Sequence, residues 1–249
     1  MDVEHAQAKY LELLKRAILF EIWQEYETDL AWWNHGFDRE RHQKGEIWPQ
    51  IAHSMIGRYR MNNLQGCMTS VVKDNIPGDF IETGVWRGGA CIFMSGFLDV
   101  MGITDRNVWV ADSFEGLPKP NEEKYPKDKG DTHHTVDYLR VSLEDVKHNF
   151  NKYDLLNDNV HFLKGWFKDT LPSAPIEQLA ILRLDGDLYE STMDSLNNLY
   201  DKVSPGGYII IDDFILPGCN AAIMDYRAEH HITEPLIPID SMSVYWRKK

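Results

Sequence analysis

Apolar residues fall into two patterns along this chain: helical stripes in the first third, then short apolar runs that alternate with helical stripes to the end. Residues 6–26 carry Tyr10, Leu13, Leu14, Ala17, Ile18 and Ile22 at helical spacing, which predicts one helix. Residues 51–73 predict a second, with Ile51, Met55, Tyr59, Leu64, Met68, Val71 and Val72 facing inward, broken by Asn75-Ile76-Pro77-Gly78. Between them, the stretch from Trp32-Trp33-Asn34-His35-Gly36 to Trp48-Pro49 has no period. It is too aromatic for a disordered tail and is expected to pack on the main domain or on another subunit. From Asp79 onward strand-length runs appear at residues 79–83, 107–111, 160–163, 179–184 and 208–211, separated by helical stretches that include residues 90–101, 142–153 and 220–230. Residues 236–239 and 243–246 lie too close together for a crossover helix, so that last pair is antiparallel. Alternating β/α units with a terminal hairpin predict an α/β, Rossmann-like, doubly wound fold, its seven-stranded sheet mostly parallel with one antiparallel strand. Residues 1–76 then form a helical extension covering a subunit contact, substrate or cofactor. Residues 77–249 form the main domain, with the charged loop at about 118–140 as a lid.

A parallel sheet brings the groups at its strand ends to one edge, where open α/β sheets bind ligands. Here the ends are acidic or glycine-rich. The first strand closes on Glu82-Thr83-Gly84, and Val85-Trp86-Arg87-Gly88-Gly89 opens a helix. That strand, turn and helix sequence lets backbone approach a ligand, although a plain packing turn explains the glycines equally well. The second strand ends at Asp112-Ser113, where such folds bond a ribose diol. The stretch at residues 179–213 is the sharpest signal. Leu179-Ala-Ile-Leu-Arg-Leu-Asp185-Gly186-Asp187 and Tyr208-Ile-Ile-Ile-Asp212-Asp213 are apolar runs that stop at acids. Asp185 and Asp187, two apart in an extended segment, point the same way, and Asp212 and Asp213 lie across the edge from them. Crowded carboxylates repel unless a cation or protons relieve them, and oxygen-only ligands favour magnesium, manganese or calcium. A single Asp-Asp pair after a strand is ordinarily a solvated turn; two acid-terminated strands point instead to a metal and base cluster.

Composition narrows the class further. At 249 residues one large domain with a full core is expected, and a formal charge of −13 argues against nucleic acid or an anionic membrane as partner. Three distant cysteines, Cys67, Cys91 and Cys219, form neither a disulfide framework nor a zinc-type spacing. With an acidic start and no run of membrane-spanning length, a cytoplasmic protein is expected. Eight tryptophans and eleven tyrosines serve core, cleft or subunit contacts equally.

Five blocks carry a resemblance: Glu82-Thr-Gly84-Val-Trp-Arg-Gly88-Gly89-Ala, Val108-Trp-Val-Ala-Asp112-Ser-Phe, Gly165-Trp166-Phe167-Lys-Asp-Thr170, Leu182-Arg-Leu-Asp185-Gly-Asp187, and Ser204-Pro-Gly-Gly207 before Ile211-Asp212-Asp213. In this order they resemble the class I S-adenosylmethionine-dependent methyltransferases and, within them, the macrocin/mycinamicin-type sugar O-methyltransferases. The likeness runs from Ala52-His53-Ser54-Met55-Ile56-Gly57 to Val244-Tyr-Trp-Arg247. It implies magnesium-dependent methylation of a hydroxyl on a deoxysugar, on a glycosylated natural product of antibiotic type, with a small-molecule glycoside or sugar as partner; a homo-oligomer, dimer or tetramer, is expected separately, because the aromatic extension needs something to cover it. Cofactor contact is implied for Met55, Ile56 and Gly57, for Glu82, Thr83, Gly84, Arg87, Gly88 and Gly89, for Asp112, Ser113 and Asp185, and for Gly165, Trp166 and Phe167, Trp166 being as readily a core aromatic. Read on their own residues, Glu82 and Asp112 together favour the cofactor, since one can face the methionine end and the other the ribose of a bound nucleoside. Asp185, Asp212 and Asp213 are the implied metal ligands and Asp187 the implied base. A catechol or other vicinal diol as acceptor, or a non-catalytic nucleoside-binding module, are the alternatives. His133 and His134, on the lid loop, are either solvent-exposed or in contact with substrate, and His53 is either a satisfied structural histidine or near the cofactor.

Overall fold

The computed structural model describes residues 2–31 and 36–249; Trp32, Trp33, Asn34 and His35 lie outside the described residues, and with them part of the expected aromatic packing segment. The strands are β1 (Asp79–Thr83), β2 (Val108–Asp112), β3 (Val160–Lys164), β4 (Leu179–Leu184), β5 (Val203–Ile211), β6 (Ile237–Pro238) and β7 (Val244–Arg247). They form one seven-stranded sheet in the order β3-β2-β1-β4-β5-β7-β6. The first five are parallel, and β7 runs antiparallel to both β5 and β6, as the short connection required. From β1 the chain winds outward through β2 to β3, then returns to β4 on the other side. The carboxyl ends of β1 and β4 therefore flank the point at which strand order reverses, where such a sheet opens a crevice.

Helices cover both faces. They are α1 (Val3–Ile18), α2 (Arg39–Gln43), α3 (Gly57–Lys73), α4 (Gly89–Val100), α5 (Leu143–Lys152), α6 (Phe167–Thr170), α7 (Tyr189–Leu199) and α8 (Pro217–Glu229). Alternate strand residues divide between two cores: Phe80, Val110, Ile181 and Ile210 pack with Leu14, Met68, Phe93 and Phe150 of α1, α3, α4 and α5, while Ile81, Leu182, Ile209 and Ile211 pack with Leu196, Leu199 and Ile223 of α7 and α8. The N-terminal helices thus share the core of the sheet. Because β4 is covered on both faces it reads as a continuous apolar run, interrupted only by Arg183. No helix among the described residues is long and apolar enough to cross a membrane.

The N-terminal helices are shorter than their periodicity suggests. The first ends at Ile18; Phe20 turns left-handed at φ +57, and residues Glu21–Tyr26 form a 3-10 segment. The Ile18 carbonyl, free at the helix end, accepts the His53 amide, docking the later segment there. Leu13 and Ile22, members of the helical stripe, are exposed. The second begins at Gly57 rather than Ile51, because the buried carboxylate of Glu27 accepts the amides of Ile51 and Ala52, the latter at 2.8 Å, and holds that stretch irregular. Ile51 and Tyr59, expected inward, are exposed.

Candidate active site

A cavity of about 700 Å³ opens at the switch point, running from the β1 and β2 ends to the β4 and β5 ends. Gly84 sets its shape. Its φ is +90, and a Cβ there would overlap the carbonyl oxygen of Asp185, so the β1 turn and the β4 end meet backbone to backbone. Asp112 ties this turn to the next: its carboxylate accepts the amides of Val85 and Phe114, each at 2.7 Å, and the Ser113 hydroxyl. Burial raises the Asp112 pKa, and these bonds to the charged form only partly offset the rise.

The expected cofactor residues divide by position. Glu82, Gly84, Asp112, Ser113 and Asp185 line the cavity, as do Met55 and Ile56 on one side and Gly165, Trp166 and Phe167 on another. Trp166 belongs to neither apolar core. Gly57, Thr83, Arg87, Gly88 and Gly89 sit behind the wall. Gly57 gives close passage to the backbone of Gln43 and Gly45, Gly89 to the carbonyl of His53, and Gly88 is the left-handed N-cap of α4. Thr83 accepts a hydrogen bond from Ser195, and Arg87 donates to the Ala52 carbonyl and lies over the Trp86 ring.

At the other end, Asp185, Asp187 and Asp213 each offer an oxygen within 4.8 Å of the others. The convergence does not come from strand alternation. The strand ends at Leu184, and Asp187 turns left-handed at φ +58, with its amide on Asp213 at 3.2 Å and the Leu188 amide on the Gly186 carbonyl. Burial, then the charges of Asp212 and Asp213, raises Asp185 well above the carboxylate range, and burial with Asp187 does the same for Asp213. Asp187 is pushed up to about 7, by burial first and then by Asp185. Three carboxylates under this strain fit a divalent cation, which supplies the opposite charge and is content with oxygen ligands alone. Asp212, expected among the ligands, is engaged elsewhere: both of its oxygens are taken by the guanidiniums of Arg60, at 2.6 Å, and Arg183.

Those two arginines were not singled out by sequence reasoning, nor was Asp128. Arg183 is buried and pairs with Glu82, Asp185 and Asp212, while Arg60 on α3 pairs with Asp212 and Asp240. A charge inside an otherwise apolar buried strand was the signal for Arg183. Asp128, in the charged loop at about 118–140 and buried, accepts the amides of Tyr189 and Glu190 at 2.6 and 3.1 Å, capping α7, which begins two residues after Asp187. Asp128→Ala removes both that cap and a negative charge at a helix N-terminus. We expect it to cost about 1–2 kcal/mol, read in thermal unfolding, together with a raised KM for the acceptor as the loop loses its anchor.

The loop expected to act as a lid folds with three short 3-10 turns, at Pro126–Asp128, His133–Thr135 and Asp137–Leu139. His133 lines the cavity, its Nδ1 2.7 Å from Asp131, and this hydrogen bond raises its pKa. His134 lies outside that cavity and leaves a buried Nδ1 without a hydrogen-bond partner among the described residues. Tyr138 stacks on Trp48 at 5.0 Å and packs against Trp86 at 5.3 Å, so lid, N-terminal extension and glycine turn meet in one aromatic group. His53 is a satisfied structural histidine, 2.6 Å from the Tyr153 hydroxyl, with burial lowering its pKa to about 4.

Comparison with known proteins places this geometry. The macrocin O-methyltransferase (TylF) family model matches residues 7–248. The chain is 49% identical to mycinamicin III 3''-O-methyltransferase of Micromonospora griseorubida over 245 residues, covering 96% of each chain. It is 46% identical to the 8-demethyl-8-(2,3-dimethoxy-alpha-L-rhamnosyl)-tetracenomycin-C 4'-O-methyltransferase of Streptomyces olivaceus over 245 residues, covering 98% of this chain and 94% of the other. Among solved structures, the O-methyltransferase NovP superposes with a TM-score of 0.92 at 47% identity, over 98% of this chain and 99% of its own.

Proposed function

The chain belongs to the macrocin O-methyltransferase family, and from that premise we propose that it transfers the methyl group of S-adenosylmethionine to a sugar hydroxyl of a glycosylated natural product, with a divalent cation, magnesium by preference. One observation carries the cation and the chemistry: three carboxylates converge in the same cavity that opens over Glu82 and Asp112. Glu82, Gly84, Asp112 and Trp166 would hold the donor along the β1 and β2 ends. Asp185 and Asp213 would hold the cation. Asp212, fixed by Arg60 and Arg183, supports them from behind rather than through a free oxygen. A bound cation lowers the pKa of a hydroxyl beside it and fixes its direction. Asp187 is the base. As the acceptor oxygen attacks, its bond to the methyl carbon forms, the sulfur–carbon bond breaks with its electron pair left on sulfur, and the hydroxyl proton passes to Asp187. No covalent enzyme intermediate is needed, so positioning supplies most of the rate.

A sugar is favoured over a planar diol because the Streptomyces olivaceus relative is named for a substrate bearing a rhamnosyl group. The lid loop at about residues 118–140, which lines the cavity through Pro118, Lys119, Asn121, His133 and Leu139, is with Trp48 of the extension where acceptor selection belongs. Self-association through the extension, where Ile22, Trp23, Tyr26 and Leu30 are exposed, and a cytoplasmic setting complete the reading. The test is mass spectrometry of glycosylated natural products, free sugars and catechols incubated with S-adenosylmethionine and magnesium. We expect one added methyl on a glycoside, lost with a chelator and restored by excess magnesium. Methylation of catechols alone would replace the sugar; full turnover in the chelator would remove the cation.

A further inference from the structure

Arg183 occupies an unusual position between the two halves of the cavity. It projects from β4, the central strand, on the same face as Ile181, and lies opposite Glu82 in the β1–β4 register. Its side chain is 1% exposed. One nitrogen, Nη1, is shared: it donates to Glu82 at the donor end and, at 2.6 Å, to Asp185 at the cation end. The other, Nη2, donates to Asp212. Burial works against its charge, yet Asp212, Asp185 and Glu82 together hold its pKa well above the ordinary guanidinium range. Arg60 takes the remaining oxygen of Asp212, so Asp212 has no freedom to follow either site. Glu82 and Asp185 are held less firmly: each gives Arg183 one oxygen, and the second oxygen of Glu82 accepts a weak donor, the Cys91 thiol, at 3.0 Å.

A planar fork with donors in fixed directions can hold three carboxylates at once; an ammonium cannot hold them in the same geometry. The sharing of Nη1 has a consequence for binding. An Asp185 oxygen drawn to a divalent cation is a poorer acceptor for Nη1, which leaves that nitrogen to Glu82. Glu82 is then locked in one orientation at the donor end before the donor arrives, and the donor loses less freedom in ordering it. We propose that Arg183 is a positioning residue that couples the two sites, so that occupation of the cation site tightens donor binding through the Asp185–Arg183–Glu82 bridge. This rests on the cation reading given above. Linkage makes the effect reciprocal: the donor tightens cation binding by the same factor.

The experiment is calorimetric titration of the full chain with S-adenosylhomocysteine, with and without saturating Mn2+, and of Mn2+ with and without S-adenosylhomocysteine. The wild type should bind S-adenosylhomocysteine about fivefold or more tightly when Mn2+ is present, at the low end of ordinary coupling. Arg183→Lys keeps the positive charge and loses the fork, so its ratio should fall to near one while both ligands still bind. Glu82→Gln breaks the other end of the bridge and should lose the ratio as well, which keeps the test open if R183K fails to fold. A merely structural role would weaken each ligand and leave the ratio unchanged. A wild-type ratio near one or below one with Mn2+ bound, or a ratio preserved in the folded variants, overturns the coupling alone. Failure of the wild type to bind Mn2+ at all overturns the cation reading and the coupling with it.

Discussion

Asp187→Asn is expected to lower kcat by roughly 10²–10⁴ while leaving S-adenosylhomocysteine binding intact. Asparagine fills the same space but has no carboxylate to take the proton, so the acceptor oxygen must attack while still protonated. The geometry adds a complication that the experiment can resolve. Asp187 lies in the same trio as Asp185 and Asp213, within 4.8 Å, so its loss also removes a negative charge beside the cation. A weakened cation site is rescued by more cation; a missing base is not. Initial rates over a wide magnesium range separate the two. In D187N the rate should plateau far below the wild type however much magnesium is added. Asp213→Asn, by contrast, should show its deficit chiefly as a higher magnesium requirement. Near-normal turnover of D187N at saturating magnesium would take Asp187 out of the base role.

The positions of the strands along the chain and the acids at their ends were legible because each of these apolar runs stops abruptly at a charged or glycine residue, and a buried parallel strand has to be apolar along its length. The same rule made the terminal hairpin readable from a short connection. The left-handed turn at Asp187 was not legible. Aspartate does not demand a positive φ, and two acids two residues apart look like strand alternation unless the strand is known to end at Leu184. The engagement of Asp212 was hidden for a different reason: Arg60 is 152 residues away in the chain, and only the packing of α3 on the sheet brings the two together. Arg183 stood in plain view inside an apolar run, but its partners follow from the registers of β1 and β5 against β4, which no single strand encodes. Among the N-terminal helices, periodicity overran the true ends. The breaks come from tertiary bonds, the His53 amide on Ile18 and the Glu27 carboxylate on residues 51 and 52, rather than from helix-breaking residues.

Gly84→Ala is expected to be the most disruptive single methyl group in the molecule. At φ +90 an L-residue is strained, which alone costs about 1–2 kcal/mol; Gly102, at φ +67 with open space around it, isolates that part. Gly84 differs in what its Cβ would meet. The obstacle is the carbonyl oxygen of Asp185, a backbone atom at the end of a central strand whose own amide donates to the Thr83 carbonyl at 2.9 Å. No side chain can swing aside, so β1 and β4 would have to part at the point where donor and cation ends of the cavity join. We expect G84A to lose more than about 4 kcal/mol, in the exceptional range for one substitution, and its Tm to fall by roughly 8–16 °C. G102A should lose only the conformational part. Any folded G84A should fail to bind S-adenosylhomocysteine, because the displaced Asp185 carries with it the Arg183 bridge to Glu82. Thermal unfolding of both variants beside the wild type decides it. A G84A curve that matches G102A would mean the two strand ends can separate without loss, and that the close approach of backbone at Gly84 does not set the geometry of the site.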